Sequence, residues 1–165
     1  MNGKRIAIIV LIGGLVAGSA SSWAAEAPAP AHAVKLSPAL LELLRAEMRE
    51  IASGVQGIAL SLAVADWQTI QDTSTKIRAS YIMEKKLTPT QAEELETALP
   101  EQFKQLDAEF HQRAEKLGAA AAAHDAELAA FYYSRLVESC SRCHSAYATA
   151  RFPGFVSQVP QGQAH

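Results

Sequence analysis

The stretch DAELAAFYYSRLVESCSRCHSAYATARFPGF, residues 125–155, decides how the chain is read. Within it Leu128, Tyr132, Leu136, Cys140, Cys143 and Tyr147 recur at intervals of three and four, the period of one helix face. Asp125 is placed to cap the start, and Phe152-Pro153-Gly154 stops the helix. A long helix with one apolar stripe has to bury that stripe against other helices.

The upstream sequence supplies them. Ser37-Pro38 reads as an N-cap followed by proline in the first turn, and Leu40, Leu44, Met48, Ile51, Val55, Ile58 and Leu62 form a stripe over residues 38–63. Asp66 caps a second helix over 67–83, with Trp67, Ile70, Ser74, Ile77 and Tyr81 on its face. In the connection that follows, Thr88-Pro89-Thr90-Gln91 has the form of a capping box and predicts a short extra helix. A third long helix starts near Pro100 and carries Phe103, Leu106, Phe110, Ala114 and Leu117, while the alanine run 119–123 leaves its end open. Four amphipathic helices without strand-like alternation predict an all-α protein, an antiparallel four-helix bundle with a short extra helix between the second and third.

Residues 1–24 are read as a secretory signal peptide rather than part of the fold. Lys4 and Arg5 precede an apolar run too short for a membrane span, and Ser22-Trp23-Ala24 fits a small-x-small cleavage site. Residues 25–36 form a flexible Ala/Pro-rich tail, 37–155 the helical domain and 156–165 a C-terminal tail. The chain is therefore expected to be exported, with no stable membrane insertion after cleavage. Net charge is −2 for the full 165 residues, which gives no basic excess for nucleic acid, and 49% apolar residues suffice for a core.

Both cysteines of the chain lie in Cys140-Ser141-Arg142-Cys143-His144. As a disulfide the pair would close almost no loop. On a helix the two sulfurs lie on one side, with the imidazole of His144 reaching the same side. This is the attachment pattern of a c-type haem, in which Cys140 and Cys143 form thioethers and His144 binds the iron. A zinc site would want four ligands, and a thioredoxin-like pair would sit at a helix start after a strand. Neither description suits a motif deep inside a helix.

With the motif on the last of four helices, Tyr147 three residues beyond His144, the stretch from Met48 to Ile51 and the Asp66-Trp67 helix start, the chain resembles the class II c-type cytochromes, the cytochrome c′ and cytochrome c-556 group, over about residues 37–150. The resemblance implies one covalent haem c inside the bundle, His144 as the proximal iron ligand, a periplasmic location, redox partner proteins and often a homodimer. The sequence departs from the cytochrome c′ branch four positions after His144, where Ala148 stands in place of a basic residue and Arg151 is the next base.

Within that group the residue facing the iron from the first helix decides the function. The resemblance makes Met48 the candidate distal ligand, while the plainer alternative is a methionine that fills the core. Ligation by Met48 implies an electron carrier, with Leu44 and Ile51 shielding the iron. An apolar residue there would imply a five-coordinate protein binding small gases such as nitric oxide. Neither reading is an enzyme. A peroxidase-like activity would need His111, which stands just off its stripe and is expected to face solvent. Arg45, Arg49 and Arg113 are candidates for the haem propionates, and Glu93, Glu94 and Glu96 are either a solvated face or a guide for a basic partner.

Overall fold

The computed structural model describes residues 34–84 and 87–155. The stretch read as a signal peptide, most of the Ala/Pro-rich tail, the C-terminal tail and the side chain of Met83 lie outside the described residues. Helix α1 spans Pro38–Ala63, α2 Trp67–Ala79, α3 Tyr81–Glu84, α4 Pro89–Ala98, α5 Glu101–Ala122 and α6 Ala126–Tyr147, followed by a single 3-10 turn at Pro153–Phe155. No strand occurs among the described residues. The protein is an all-α four-helix bundle built from α1, α2, α5 and α6, with α4 as the short extra helix.

The caps are those expected. Ser37 Oγ accepts from the Leu40 amide at 3.4 Å, an Asp66 carboxylate oxygen from Thr69 at 3.1 Å, and an Asp125 carboxylate oxygen from Leu128 at 2.9 Å. At α4 both halves of the capping box form: Thr88 Oγ1 accepts from the Gln91 amide at 3.3 Å and Gln91 Oε1 from the Thr88 amide at 3.0 Å. Each tight turn, α1–α2 and α5–α6, places a residue of positive φ directly before its capping aspartate, Ala65 at 55° and His124 at 54°. The two turns meet at one end of the molecule, where the Trp67 and His124 rings stack 5.8 Å apart. Trp67 is thus a structural clasp.

The second helix does not run unbroken to residue 83. It breaks at Ser80, whose φ is 64°. The cause lies on α1: the Glu47 carboxylate accepts from Ser80 Oγ at 2.6 Å and from the Tyr81 amide at 3.0 Å, so the polar groups freed by the break are satisfied. Glu47 is accordingly 6% exposed, while its neighbour Met48, expected on the inner stripe, is 39% exposed. A similar turn of face occurs on α6, where Ala129 is fully buried and Leu128 is 41% exposed.

Around the ring of helices, α2 packs on α1 and α5, and α5 on α6; the α1–α6 seam is the loosest. Two glycines set the close approaches to α2 from opposite sides. A Cβ at Gly54 of α1 would lie 2.9 Å from Thr73 Cγ2, and one at Gly118 of α5 would lie 3.2 Å from Ser74 Cβ. Gly54→Leu should therefore lower stability by about 2 kcal/mol in chemical denaturation, since overpacking outweighs the gain in helix propensity.

The closed core joins Ile58, Ile70, Ile77, Ala114, Leu117, Ala120, Ala121, Ala129 and Leu136. The alanine run thus continues α5 and lets α6 come close. This core fills the half of the bundle nearer the two tight turns. It reaches Leu136, one turn before Cys140. Beyond that point Leu40 of α1 is buried, while α1 and α5 otherwise present half-buried apolar groups: Leu43, Leu44, Phe103 and Leu106.

Candidate functional site

The last two turns of α6 enter this second half. Cys140, Cys143 and His144 are all half-buried, and the two cysteines are free thiols. Cys140 Sγ approaches the Leu136 carbonyl at 3.7 Å, the i−4 contact of a thiol lying along its own helix. Burial pushes the Cys140 thiol above its ordinary value. Burial, with the charges of Asp107 and Cys140 beside it, pushes Cys143 up to about 11. Both groups are thiols at neutral pH, unlike the activated thiolate of a redox pair. Addition of S–H across a vinyl group, the chemistry of thioether attachment, starts from sulfurs placed side by side in this way.

His144 is shifted the other way. Burial lowers its pKa, so the ring is neutral at neutral pH, the form that ligates a metal. One face of the ring stacks on Phe152, with centroids 4.6 Å apart and planes 28° apart, and Phe155 lies 6.4 Å away, tilted by 58°. Read from the sequence, Phe152-Pro153-Gly154 only ends a helix. In the structure the chain folds back: the Arg151 and Phe152 amides both donate to the Ala148 carbonyl, at 3.0 and 2.9 Å, and the Phe155 amide donates to the Phe152 carbonyl at 3.1 Å. The signal that points to this cap is the pair of aromatics flanking Pro153-Gly154, where a plain stop would need none.

Opposite, Phe103 of α5 meets Tyr147 edge-on at 5.2 Å, and the Tyr147 hydroxyl donates to Gln102 Oε1 at 3.3 Å. The antiparallel order sets the N-terminal half of α1, with Leu44 and Met48, beside the C-terminal half of α6. No group of three or more His, Cys, Asp or Glu side chains among the described residues can hold a metal ion. A macrocycle that carries its own iron suits this donor set: two adjacent sulfurs, one neutral imidazole and a surround of half-covered apolar side chains.

His111 is not the solvent-facing residue expected. Its side chain is 20% exposed, Nδ1 lies 2.7 Å from the Ile77 carbonyl, and Nε2 lies 3.5 Å from Asp107. Burial opposes its charge, but the Asp107 hydrogen bond and charge, the Ile77 carbonyl and the charge of Glu47 outweigh it and raise the pKa. Arg113 is not free for a propionate either. It is 8% exposed, donates to Ser139 Oγ at 2.8 Å and to the Arg135 carbonyl at 2.5 Å, and pairs with Glu109 and Glu138. Arg142, inside the Cys-x-x-Cys-His motif, closes the same network on Glu109 at 2.6 Å. Arg45 pairs with Glu42 on the surface and Arg49 is exposed. Of the acidic group on α4, Glu94 accepts from the Ser37 amide and Glu96 pairs with Lys104, so two of its three carboxylates are engaged within the chain.

The network ties the Cys140-to-His144 motif to α5, and its carboxylate titrates. Burial would raise the Glu109 pKa, but the Arg142 hydrogen bond and the charges of Arg113 and Arg142 hold it below the ordinary value of 4.5. A depressed carboxylate contributes stability above its unfolded-state pKa and loses it as the pH falls through the folded-state value. Glu109→Gln should therefore lose less stability than the parent when urea denaturation is repeated from neutral pH down through that range.

A family model described as Cytochrome C′ matches residues 32–148, most of the chain and all four long helices. Neither the curated proteins nor the solved structures gave a match. No helix among the described residues is long and apolar enough to cross a membrane.

Proposed function

The chain belongs to the cytochrome c′ family, whose members carry a c-type haem, and from that premise we propose that it is a periplasmic mono-haem electron carrier. Cys140 and Cys143 hold the haem by two thioethers, His144 is the proximal ligand and Met48 the distal one. Bound there, the haem supplies a one-electron ferric–ferrous couple. The chain's own residues hold and shield it: two sulfurs prevent dissociation, a neutral imidazole comes from α6, and Leu44 and Ile51 flank the thioether of Met48.

The observation that carries the electron-transfer reading is the position of Met48. The buried residues of α1 are Leu40, Glu47, Ile51, Ile58 and Ser61, and Met48 stands outside them, 39% exposed. That argues against a methionine spent on filling the core and leaves its sulfur for another partner. A peroxidase-like role finds little support, because both His111 ring nitrogens face polar atoms of the protein, the Ile77 carbonyl and the Asp107 carboxylate.

The test is carbon monoxide binding to the reduced protein. An electron carrier with Met48 bound should react slowly, at a rate set by loss of the thioether. Fast binding at a rate proportional to gas concentration would replace this reading with the five-coordinate, gas-binding one.

A further inference from the structure

The segment after α6 is the least expected feature of the site. Phe152 and Phe155 remain 36% and 40% exposed, so burial of their own rings does not account for their place. What Phe152 does contact is His144, ring on ring at 4.6 Å. The Arg151 guanidinium also lies over the Phe152 ring, 5.7 Å from its centroid. The hydrogen bonds of residues 151 and 152 to Ala148, together with the fixed φ of Pro153, hold this stack against the end of the helix.

A stack on one face of an imidazole leaves the ring edge open while it restricts rotation about the side-chain bonds. We propose that Phe152 is the positioning residue for the proximal ligand, fixing the plane of His144, and that Arg151, held over Phe152, places a positive charge on the proximal side that favours the reduced haem. This rests on the reading of His144 as the iron ligand. The positioning uses no hydrogen bond, in contrast to the common arrangement in which a carboxylate or carbonyl orients a metal-bound histidine. Charge at this distance acts through a largely solvated path, so the effect of Arg151 is moderate and falls with salt.

The experiment uses the covalently loaded protein and four variants: Phe152→Leu, Phe152→Tyr, Arg151→Gln and His144→Ala. Ferric proton NMR reads the ligand plane from the hyperfine-shifted haem methyl resonances, and redox titration reads the charge. Phe152→Leu should keep its covalent haem and change the spread of the methyl resonances, and Phe152→Tyr should restore it. Arg151→Gln should lower the reduced-to-oxidised ratio at a fixed ambient potential by about threefold at low salt, and by less at high salt. Wild-type resonances in Phe152→Leu, or a wild-type ratio in Arg151→Gln, would overturn the corresponding half of the inference. An unchanged axial spectrum in His144→Ala would instead overturn the ligand reading beneath it. A changed spectrum there, beside a silent Phe152→Leu, confines the failure to the stack.

Discussion

Cys140→Ala combined with Cys143→Ala should leave the protein without covalent haem and lower its melting temperature by about 10 °C or more. The closed core cluster ends at Leu136, and besides the buried Leu40 and Ile82 the half of the bundle beyond it relies on Leu43, Leu44, Phe103 and Leu106, all only half-buried. A flat apolar ring covalently seated there would complete that half, and whatever binds only the folded state adds its binding free energy to stability. The two cysteines themselves pack little, so alanine in their place costs little directly. Haem staining on a denaturing gel reads the first effect and calorimetry the second. Stain surviving the double substitution would remove the attachment claim. A melting temperature equal to that of the loaded parent would place the haem outside the bundle.

Met48→Ala should convert a low-spin ferric spectrum to a high-spin one, lower the midpoint potential by on the order of 100 mV and make carbon monoxide binding fast. A thioether stabilises ferrous iron more than ferric, so its removal shifts the couple downward. The fold should survive with a loss of less than about 1 kcal/mol, because the side chain is 39% exposed and its removal opens no closed cavity. Loss of the ligand and loss of the fold are thereby separable. A high-spin parent, unchanged by the substitution, would mean that Met48 is not bound and that the protein takes gases.

Four helix starts were legible because each carries its own local chemistry: Ser37, Asp66, Thr88 with Gln91, and Asp125 all cap where their spacing to the following residues requires, while α5 begins at Pro100 without a side-chain cap. The Cys140-to-His144 motif was legible for the same reason, since its geometry is set within one turn of helix. The features that escaped depend on partners distant in sequence. Glu47 is buried only because Ser80 and Tyr81, more than thirty residues away, supply its hydrogen bonds, and that same contact breaks the second helix. Arg113 leaves the surface because Glu109, Glu138, Ser139 and a backbone carbonyl on α6 receive it. His111 turns inward to the Ile77 carbonyl on α2. A charge on a helix reads as solvent-facing until the second helix is known, and a periodic stripe fixes a face only to within about one residue. That margin is the difference between Glu47, closed off from water, and Met48, left partly uncovered.

The most direct test of the central claim is the mass of the intact mature protein, purified from a host that carries out c-type haem maturation and measured under denaturing conditions. The account predicts a chain beginning after Ala24 that carries the mass of one haem, with the addition confined to the peptide holding Cys140 and Cys143. A chain of unmodified mass, with both thiols open to alkylation, would contradict it.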